Sequence, residues 1–541
     1  MTTESQRILI VGGGSAGWMA AAYLNATLNR RGLRAAEIAL VESKDVPRIG
    51  VGEATIPNIN HLLAVIGIDE TSFMSAVDGT FKQSIRYGNW LHNTGEHYHH
   101  PFSRFNVVPI DYTGQDWLRS DRSIPFIETV SAQPLICELG LAPKTADGRS
   151  FGTALTYAFH MNALKFADYL TDHATARGVT HYLDHVVDVE MLDNGYIGAV
   201  KTRDGQRIEA DLFIDSTGFG AQLIGKRLGV PFIDCSDWLL CDRAVTMHVD
   251  YEHHYPGFVR PFTTATALSS GWVWDIPLQT TRSLGYVHAS AFLSEADAER
   301  ELRAFEGPHA DTLPSRVVRF RTGRRERVWA ANCVAIGLAG GFVEPLESTG
   351  LYLSDLASVL LAEHFPYTRD YEAMAFRVNR LLADRYYEIL DFINMHYCLS
   401  QRQDSPFWRE VRQPERINPR LQAKLEYWRK KPPSPSDFQD SFFPGQPLEP
   451  LAAGDGQADH RTPIDTAGLW GHTSYEAILY GMDYLRQECD DWFGTQRPRT
   501  QLLRRVLATV EAGRRQLPPH ADWLVHVLGM QTWPVSSGQR R

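Results

Sequence analysis

The apolar pattern opens with a short continuous run, Arg7-Ile-Leu-Ile-Val11, followed by Gly12-Gly-Gly-Ser-Ala-Gly17 and a mainly apolar stretch, Trp18–Leu28. A second run, Glu37-Ile-Ala-Leu-Val41, ends at Glu42. Short apolar runs bounded by glycine read as buried parallel strands, and the longer stretch between them has the length of a helix. Strand, glycine turn, helix, strand and acid in that order predict a βαβ unit. Strand-like runs recur at Ala210–Asp215 and Cys333–Ile336, which predicts one sheet assembled from remote segments. The stretches between are rich in Trp, Tyr, His and Phe and suit the lining of a pocket. From about Asp355 the period turns helical (Leu356–His364, Tyr371–His396), and it resumes at Tyr475–Cys489 and Gln501–Leu517. The Pro-rich Lys431–Pro463 reads as a long surface loop and Val535–Arg541 as a frayed end. The predicted class is α/β (α+β overall). A nucleotide-binding core over 1–365 carries inserted pocket-lining segments at about 80–150 and 225–280, and 366–541 is mainly helical.

Size and charge narrow this picture. A chain of 541 residues can bury one large core or two to three smaller ones. It is 43% hydrophobic and 22% charged, as in soluble globular proteins. The net charge of −10 disfavours a nucleic-acid partner. The six cysteines are scattered and form no C-x-x-C, so free thiols in a reducing compartment are expected. No apolar run reaches the length of a membrane span, and the chain enters its first strand too early to leave room for a signal peptide. The expected location is cytoplasmic, with no membrane partner.

The candidate chemistry begins with Gly12, Gly14 and Gly17, which fit G-x-G-x-x-G. The first glycine permits the tight turn and the second lets the backbone approach a pyrophosphate. The third allows close helix–strand packing. Glu42 is placed to accept hydrogen bonds from a ribose. Three later segments favour FAD over NAD: Val51-Gly-Glu-Ala-Thr-Ile-Pro57, Ile214-Asp-Ser-Thr-Gly218 and Ala335-Ile-Gly-Leu-Ala-Gly340. The expected cofactor-binding set is Gly12, Gly14, Ser15, Ala16, Gly17, Glu42, Arg48, Val51, Ala54, Val187, Gly218, Leu338 and Leu351.

Lys82 lies in an aromatic-flanked segment, Gly79–Trp90, that implies burial, and a buried amine becomes a nucleophile or directed donor. Glu344 and Glu347 sit in a Pro-interrupted turn before Ser-Thr-Gly. The amides of Thr349 and Gly350 read either as a small anion nest beside a candidate general base or as part of a helix cap. The spacings in His97-Tyr-His-His-Pro-Phe102 match no firm ligand set, so no metal is expected there, and aromatic pocket lining by His100 and Phe102 is the favoured reading.

Two distant segments, Gly271-Trp-Val-Trp-Asp-Ile-Pro277 and Phe342-Val-Glu-Pro-Leu-Glu-Ser-Thr-Gly350, carry a resemblance. With the glycine fingerprint they resemble flavin-dependent halogenases of the tryptophan-halogenase type, over a stretch running to about Trp408. The resemblance implies a Rossmann-like FAD-binding domain of the FAD-monooxygenase type, interleaved with a substrate domain. It also implies a two-component reaction. A separate flavin reductase supplies reduced FAD, which with O2 oxidises chloride or bromide to hypohalous acid. Lys82 falls at the catalytic lysine that directs this acid onto an indole-like aromatic, and Glu347 falls at the catalytic glutamate. Thr349 and Gly350 fall at the halide-binding amides, and His100 and Phe102 beside the substrate ring. Trp272, Trp274, Ile276 and Pro277 form the wall between substrate and flavin. The alternatives are an FAD-dependent aromatic hydroxylase and a non-catalytic flavin-binding redox protein. The expected assembly is a monomer or homodimer. One segment departs from the family pattern: Leu469–Met482 shows Glu476 with separated Tyr475 and Tyr480, and not a recognisable grip for an amino-acid head group. Free tryptophan is therefore not the expected preferred substrate.

Overall fold

A computed structural model describes residues 5–30, 32, 34–48, 50–105, 111–152, 155–251, 259–366, 368–438, 469–484 and 500–530. The chain divides into two compact units. One comprises Met1–Asp78, Met161–Cys235 and Phe320–Tyr387; the other comprises Gly79–His160, Ser236–Arg319 and Glu388–Arg541. The second inserted segment runs on to Arg319, past the expected boundary near 280. Both units are discontinuous in sequence.

In the first unit the strand Gln6–Val11 sits inside a six-stranded sheet. It pairs in parallel with Ala36–Glu42 on one side and Leu212–Asp215 on the other, and Cys333–Ala335 continues the sheet. The remote runs therefore do assemble into one sheet. Parallel strands covered on both faces must be apolar throughout, which is why Ile8, Leu9 and Ile10 are each at most 1% exposed. The helix Ser15–Leu28 begins three residues earlier than its apolar pattern, directly on the glycine loop. Ala20, Ala21 and Ala22 are at most 4% exposed, which allows close packing against the helix Gly350–Glu363.

In the second unit a seven-stranded sheet has Gly271–Pro277 near its middle, flanked by Thr263–Leu268 and Thr281–His288. All seven residues of Gly271–Pro277 are buried. One face carries Val273 into a cluster with Val245, Leu284 and Tyr286, covered by Ala298 and Leu302 of the helix Glu295–Glu306. Trp272 and Trp274 lie on the opposite face, as strand alternation dictates. The described residues at the C-terminal end form the helices His472–Gly481, Thr500–Gln516 and His520–Leu528. Most of the Pro-rich 431–463 segment, residues 485–499 and 535–541 lie outside the described residues. No helix among those described is long and apolar enough to cross a membrane. Cys137, Cys235, Cys241, Cys333 and Cys398 are free thiols, and Cys489 lies outside the described residues.

Candidate active site

The glycine loop of the first unit is shaped by contacts that admit no side chain. Gly12 takes φ +112°, and a Cβ there would lie 2.2 Å from the Ser216 carbonyl oxygen. A Cβ on Gly17 would lie 2.0 Å from the Gly12 oxygen, and one on Gly13 would lie 2.0 Å from the Glu42 carboxylate. Gly14 differs: nothing lies within 4 Å of the position its Cβ would take. Three glycines are thus needed by the protein, and the fourth leaves open space beside the start of the helix Ser15–Leu28. That space is where a pyrophosphate would meet free N–H groups and the positive end of the helix.

Glu42 reaches the same loop, but its carboxylate is already engaged. Arg48 donates to both of its oxygens at 2.9 Å, the Trp18 indole donates at 3.3 Å, and His181 lies 3.1 Å away. Arg48 also pairs with Asp168 at 2.6 Å, so it fixes Glu42 in place. Around the loop, Gly337 (φ +74°) brings the turn Gly337–Ala339 against Ala16, while Gly218 (φ +65°) follows the strand Leu212–Asp215. Asp215 is fully buried and accepts from Thr217, Leu223 and Ile224, which ties the Ser216–Gly218 turn to the residues after it. Val51 accepts from the Ala163 amide, and Ala54 ends the short strand Gly52–Ala54. Between them, burial pushes the Glu53 carboxyl up to about 7. Leu338 and Leu351 are half-buried at the Gly337 turn and the start of the helix Gly350–Glu363. Val187 stands apart from these residues in character: it is 58% exposed on the strand Val186–Met191, in a separate three-stranded sheet.

The Pro345–Gly350 loop carries backbone strain. Glu347 (φ 67°) and Ser348 (φ 60°) both adopt the left-handed conformation, rare for a residue with a side chain and costing of order 1–3 kcal/mol each. Thr349 occupies the cap position of the helix Gly350–Glu363, yet its side chain makes no capping bond. Its Oγ1 is buried without a partner among the described residues. Glu347 is 2% exposed and Thr349 fully buried. The Thr349 side chain therefore does not cap this helix, which was the alternative to an anion nest at the turn.

In the second unit Lys82 ends the strand Thr80–Lys82, which pairs antiparallel with Ala158, Phe159 and His160. Lys82 is fully buried, and its Nζ lies 5.3 Å from the centre of the Phe102 ring. His100 is 4% exposed on the strand His97–Pro101, and its ring lies 5.6 Å from that of Phe392. Phe392 stacks on Trp470 at 4.1 Å and meets Tyr475 edge-on at 4.9 Å. The expected lysine is thus brought beside Phe102, and His100 joins an aromatic cluster that takes in Trp470 and Tyr475 from the C-terminal segment.

The tryptophan motif is part of the sheet core. Trp272 packs on Trp90 at 6.4 Å, and Trp90 is enclosed by Tyr87, Tyr397 and Trp408. Trp274 lies flat over its cross-strand partner Gly285, where a Cβ would fall 2.0 Å from the indole. Ile276 and Pro277 complete the strand, and the Pro277 carbonyl accepts from Thr80 at 2.5 Å. That bond ties the motif to the strand of Lys82.

Beyond Phe102 the chain reaches a buried polar group. Arg104 donates to Glu476 at 2.8 Å, to Thr113 at 2.8 Å and to Asp111, which His472 also approaches at 3.2 Å. Burial pushes the Glu476 carboxyl up to about 7 against the pull of the Arg104 guanidinium. Asp111 is held well below the usual range, because bonds from His472, Arg104 and Thr113 outweigh its burial. Elsewhere His97, His99 and Glu138 converge, and burial of Glu138 is outweighed by His99 and Arg86, which hold its carboxyl at about 2. In both clusters an arginine already bonds the carboxylate, which supplies the positive charge a metal would bring.

A sequence model of the family described as Tryptophan halogenase matches residues 7–497. The chain belongs to the tryptophan halogenase family. Among curated relatives, 7-chloro-L-tryptophan 6-halogenase KtzR of Kutzneria sp. (strain 744) is 36% identical over 482 residues, covering 85% of this chain and 92% of that protein. Tryptophan 7-halogenase RebH of Lentzea aerocolonigenes is 33% identical over 549 residues, covering 95% and 99%. Among solved structures, Tar14, described as a tryptophan C-6 flavin-dependent halogenase (chlorinase) from taromycin biosynthesis, matches with a TM-score of 0.85 and 32% identity. That match covers 97% of this chain and all 100% of the other. This tryptophan halogenase family member is therefore a flavin-dependent halogenase with the fold of its relatives, and flavin is its cofactor.

Several residues that hold these segments in place are not marked by the motifs. Gly285 had a usable signal, since a glycine inside a strand run marks close approach. Asp215 sits inside a segment read only for its Thr-Gly. Arg104 carries no spacing signal, because its partner Glu476 is distant in sequence.

Proposed function

We propose that this halogenase is the second component of a two-component system. A separate flavin reductase supplies reduced FAD, held by Gly12–Gly17, Glu42 and the turns at Gly218 and Leu338. Bound reduced FAD, with O2, supplies the oxidising power that converts chloride or bromide to hypohalous acid. The amides of Thr349 and Gly350 hold the halide. Lys82 binds the hypohalous acid, or takes its halogen as a haloamine, and directs it onto an electron-rich aromatic carbon. The carbon–halogen bond forms, the ring proton leaves to Glu347, and the oxygen departs as water. Delivery by one positioned amine gives a regioselectivity that free oxidant lacks.

The observation that carries this reading is Lys82 itself: fully buried on a paired strand, with its amine over the Phe102 ring. A surface lysine does none of this, and a hydroxylase has no use for it.

The favoured substrate is an indole or phenol without a free amino-acid head group. Glu476 is the acid of the Leu469–Met482 segment, and Arg104 already binds it. An α-ammonium would have to compete with a guanidinium, and a buried charge left unpaired costs several kcal/mol. The test is a panel of indoles, phenols and free L-tryptophan, incubated with reductase, NADH, O2 and bromide, with products read by mass. Bromine's isotope doublet on the neutral aromatics supports the reading. Oxygen insertion without halogen contradicts it, and a much higher kcat/KM for free L-tryptophan than for indole contradicts the substrate assignment.

A further inference from the structure

The strand of Lys82 is held along its outer edge by a device that ordinary strand pairing does not supply. The Gln83 amide donates to the Pro261 carbonyl at 2.8 Å, a direct main-chain bond. Two residues back, the Phe81 amide donates to Nε2 of His520 at 3.1 Å. The other ring nitrogen of His520, Nδ1, lies 3.0 Å from the Val259 carbonyl oxygen. A carbonyl only accepts, so Nδ1 carries the proton and Nε2 keeps its lone pair for Phe81. The two contacts together fix one neutral tautomer. Val259–Pro261 and Phe81–Gln83 are thus parted by the width of an imidazole at one end and joined directly at the other.

His520 is the first residue of the helix His520–Leu528 and is fully buried. Burial pushes its ring down to about 4, and a helix N-terminus also disfavours a cation. The same helix grips the Phe81 side chain: its ring lies 5.7 Å from the His520 ring and 4.6 Å from that of Trp523. The helix is itself anchored, with the His520 amide donating to the Gly140 carbonyl and the Trp523 indole to the Thr145 carbonyl. Strand alternation puts the side chains of Phe81 and Lys82 on opposite faces. A shift of the Phe81 main chain is passed through the adjoining peptide to Lys82, whose amine lies over Phe102.

We propose that His520 is a positioning residue for Lys82, an imidazole spacer between the Val259 carbonyl and the Phe81 amide that sets where the lysine amine stands. The proposal rests on the reading of Lys82 as the halogen-directing amine. His520 touches no reacting atom. Its part is to keep oxidised halide on the lysine long enough to reach the ring, because a misplacement of about 1 Å can cost about 10²-fold in rate.

The test uses the full-length enzyme with reductase, and it measures halogenated product per flavin reoxidised alongside hypohalous acid captured by a scavenger. His520→Leu removes both hydrogen-bonding ring atoms. His520→Gln keeps one acceptor and one donor. The Leu variant is expected to lose about 10- to 100-fold in product per flavin, with the missing halogen recovered in the scavenger and flavin binding unchanged. The Gln variant is expected to recover a substantial part of the loss. Wild-type partition in His520→Leu would overturn the proposal. Equal impairment of both variants, tracking a common fall in thermal midpoint, would also overturn it by showing a structural role only. Should His520→Leu fail to fold, His520→Gln decides alone: raised scavenger capture at wild-type thermal stability supports the proposal, and unchanged capture contradicts it. Lys82→Ala is run in parallel. If it halogenates normally, the lysine reading fails and this proposal with it. If it does not, a normal His520→Leu overturns this proposal alone.

Discussion

In the unit that carries Gly12 and Glu347, the groups offered to a ligand belong to the main chain: amides at a glycine loop, and amides after two left-handed residues. In the unit that carries Lys82 and Trp272 they belong to side chains: one buried amine, a set of aromatic rings and an arginine between two acids. Under the proposed function, the difference follows from what each would bind. A pyrophosphate and a halide are anions without shape, and fixed N–H dipoles serve any of them. An aromatic substrate must be held by its faces and edges, which takes large side chains in particular places. The main-chain half is written in short motifs, because few residues other than glycine fit such turns. The side-chain half is spread over segments hundreds of residues apart.

The strongest way to break this comparison is to change an amide site without disturbing the fold. Gly14 has φ −75° and open space around its missing side chain, so Gly14→Val should fold normally and lose FAD altogether in a fluorescence titration. Unchanged flavin affinity would show that the loop is no cofactor site. Glu347→Gln should slow halogenation by about 10²–10⁴-fold, the range for losing a positioned general base. Single-turnover product formation checks this, and a loss of less than tenfold would remove Glu347 from the chemistry.

Gly285→Ala sharpens the other side. Its Cβ would overlap the Trp274 indole, and overpacking of this kind costs about 1–3 kcal/mol. Thermal melts should show the loss, and activity should fall more than flavin affinity does. Equal loss of both would mean that the two units do not respond separately.

The smallest effect concerns pH. Burial raises the folded pKa of Glu476 from 4.5 to about 7. A raised folded pKa means that the folded state holds this proton when the unfolded state has released it. The stability associated with the proton is full below about pH 4.5 and is lost as pH rises towards 7. Glu476→Gln carries no proton to lose, so its thermal midpoint relative to the parent should rise between pH 5 and pH 8. A constant difference across that range would contradict the assignment.

How far these features were legible depended on how local their causes are. The βαβ unit and the remote strands at 212–215 and 333–335 were readable because a tight turn or a doubly covered strand restricts residue choice on the spot. Helix starts were less so: the helix at Ser15 begins on the glycine loop, before any apolar periodicity can show it. Insertions at about 80–150 and 225–280 were expected from the sequence, but the grouping of 388–541 with the segments 79–160 and 236–319 was not readable, because no short-range pattern reports which distant segments pack together. Trp272 and Trp274 were recognised as a motif, but their packing on Trp90 and Gly285 was not, since it depends on cross-strand register. His520 was invisible for the same reason: its value lies in a bond to an amide 439 residues away.

The central claim is that halide oxidation and carbon–halogen bond formation are separable, and that Lys82 serves only the second. The direct measurement compares Lys82→Ala with the parent enzyme under reductase, NADH, O2 and bromide, counting flavin reoxidised against brominated aromatic. Flavin reoxidation is expected at close to the parent rate, with halogenated product reduced to background. Product from Lys82→Ala at near the parent rate would contradict it and would point to a freely diffusing oxidant.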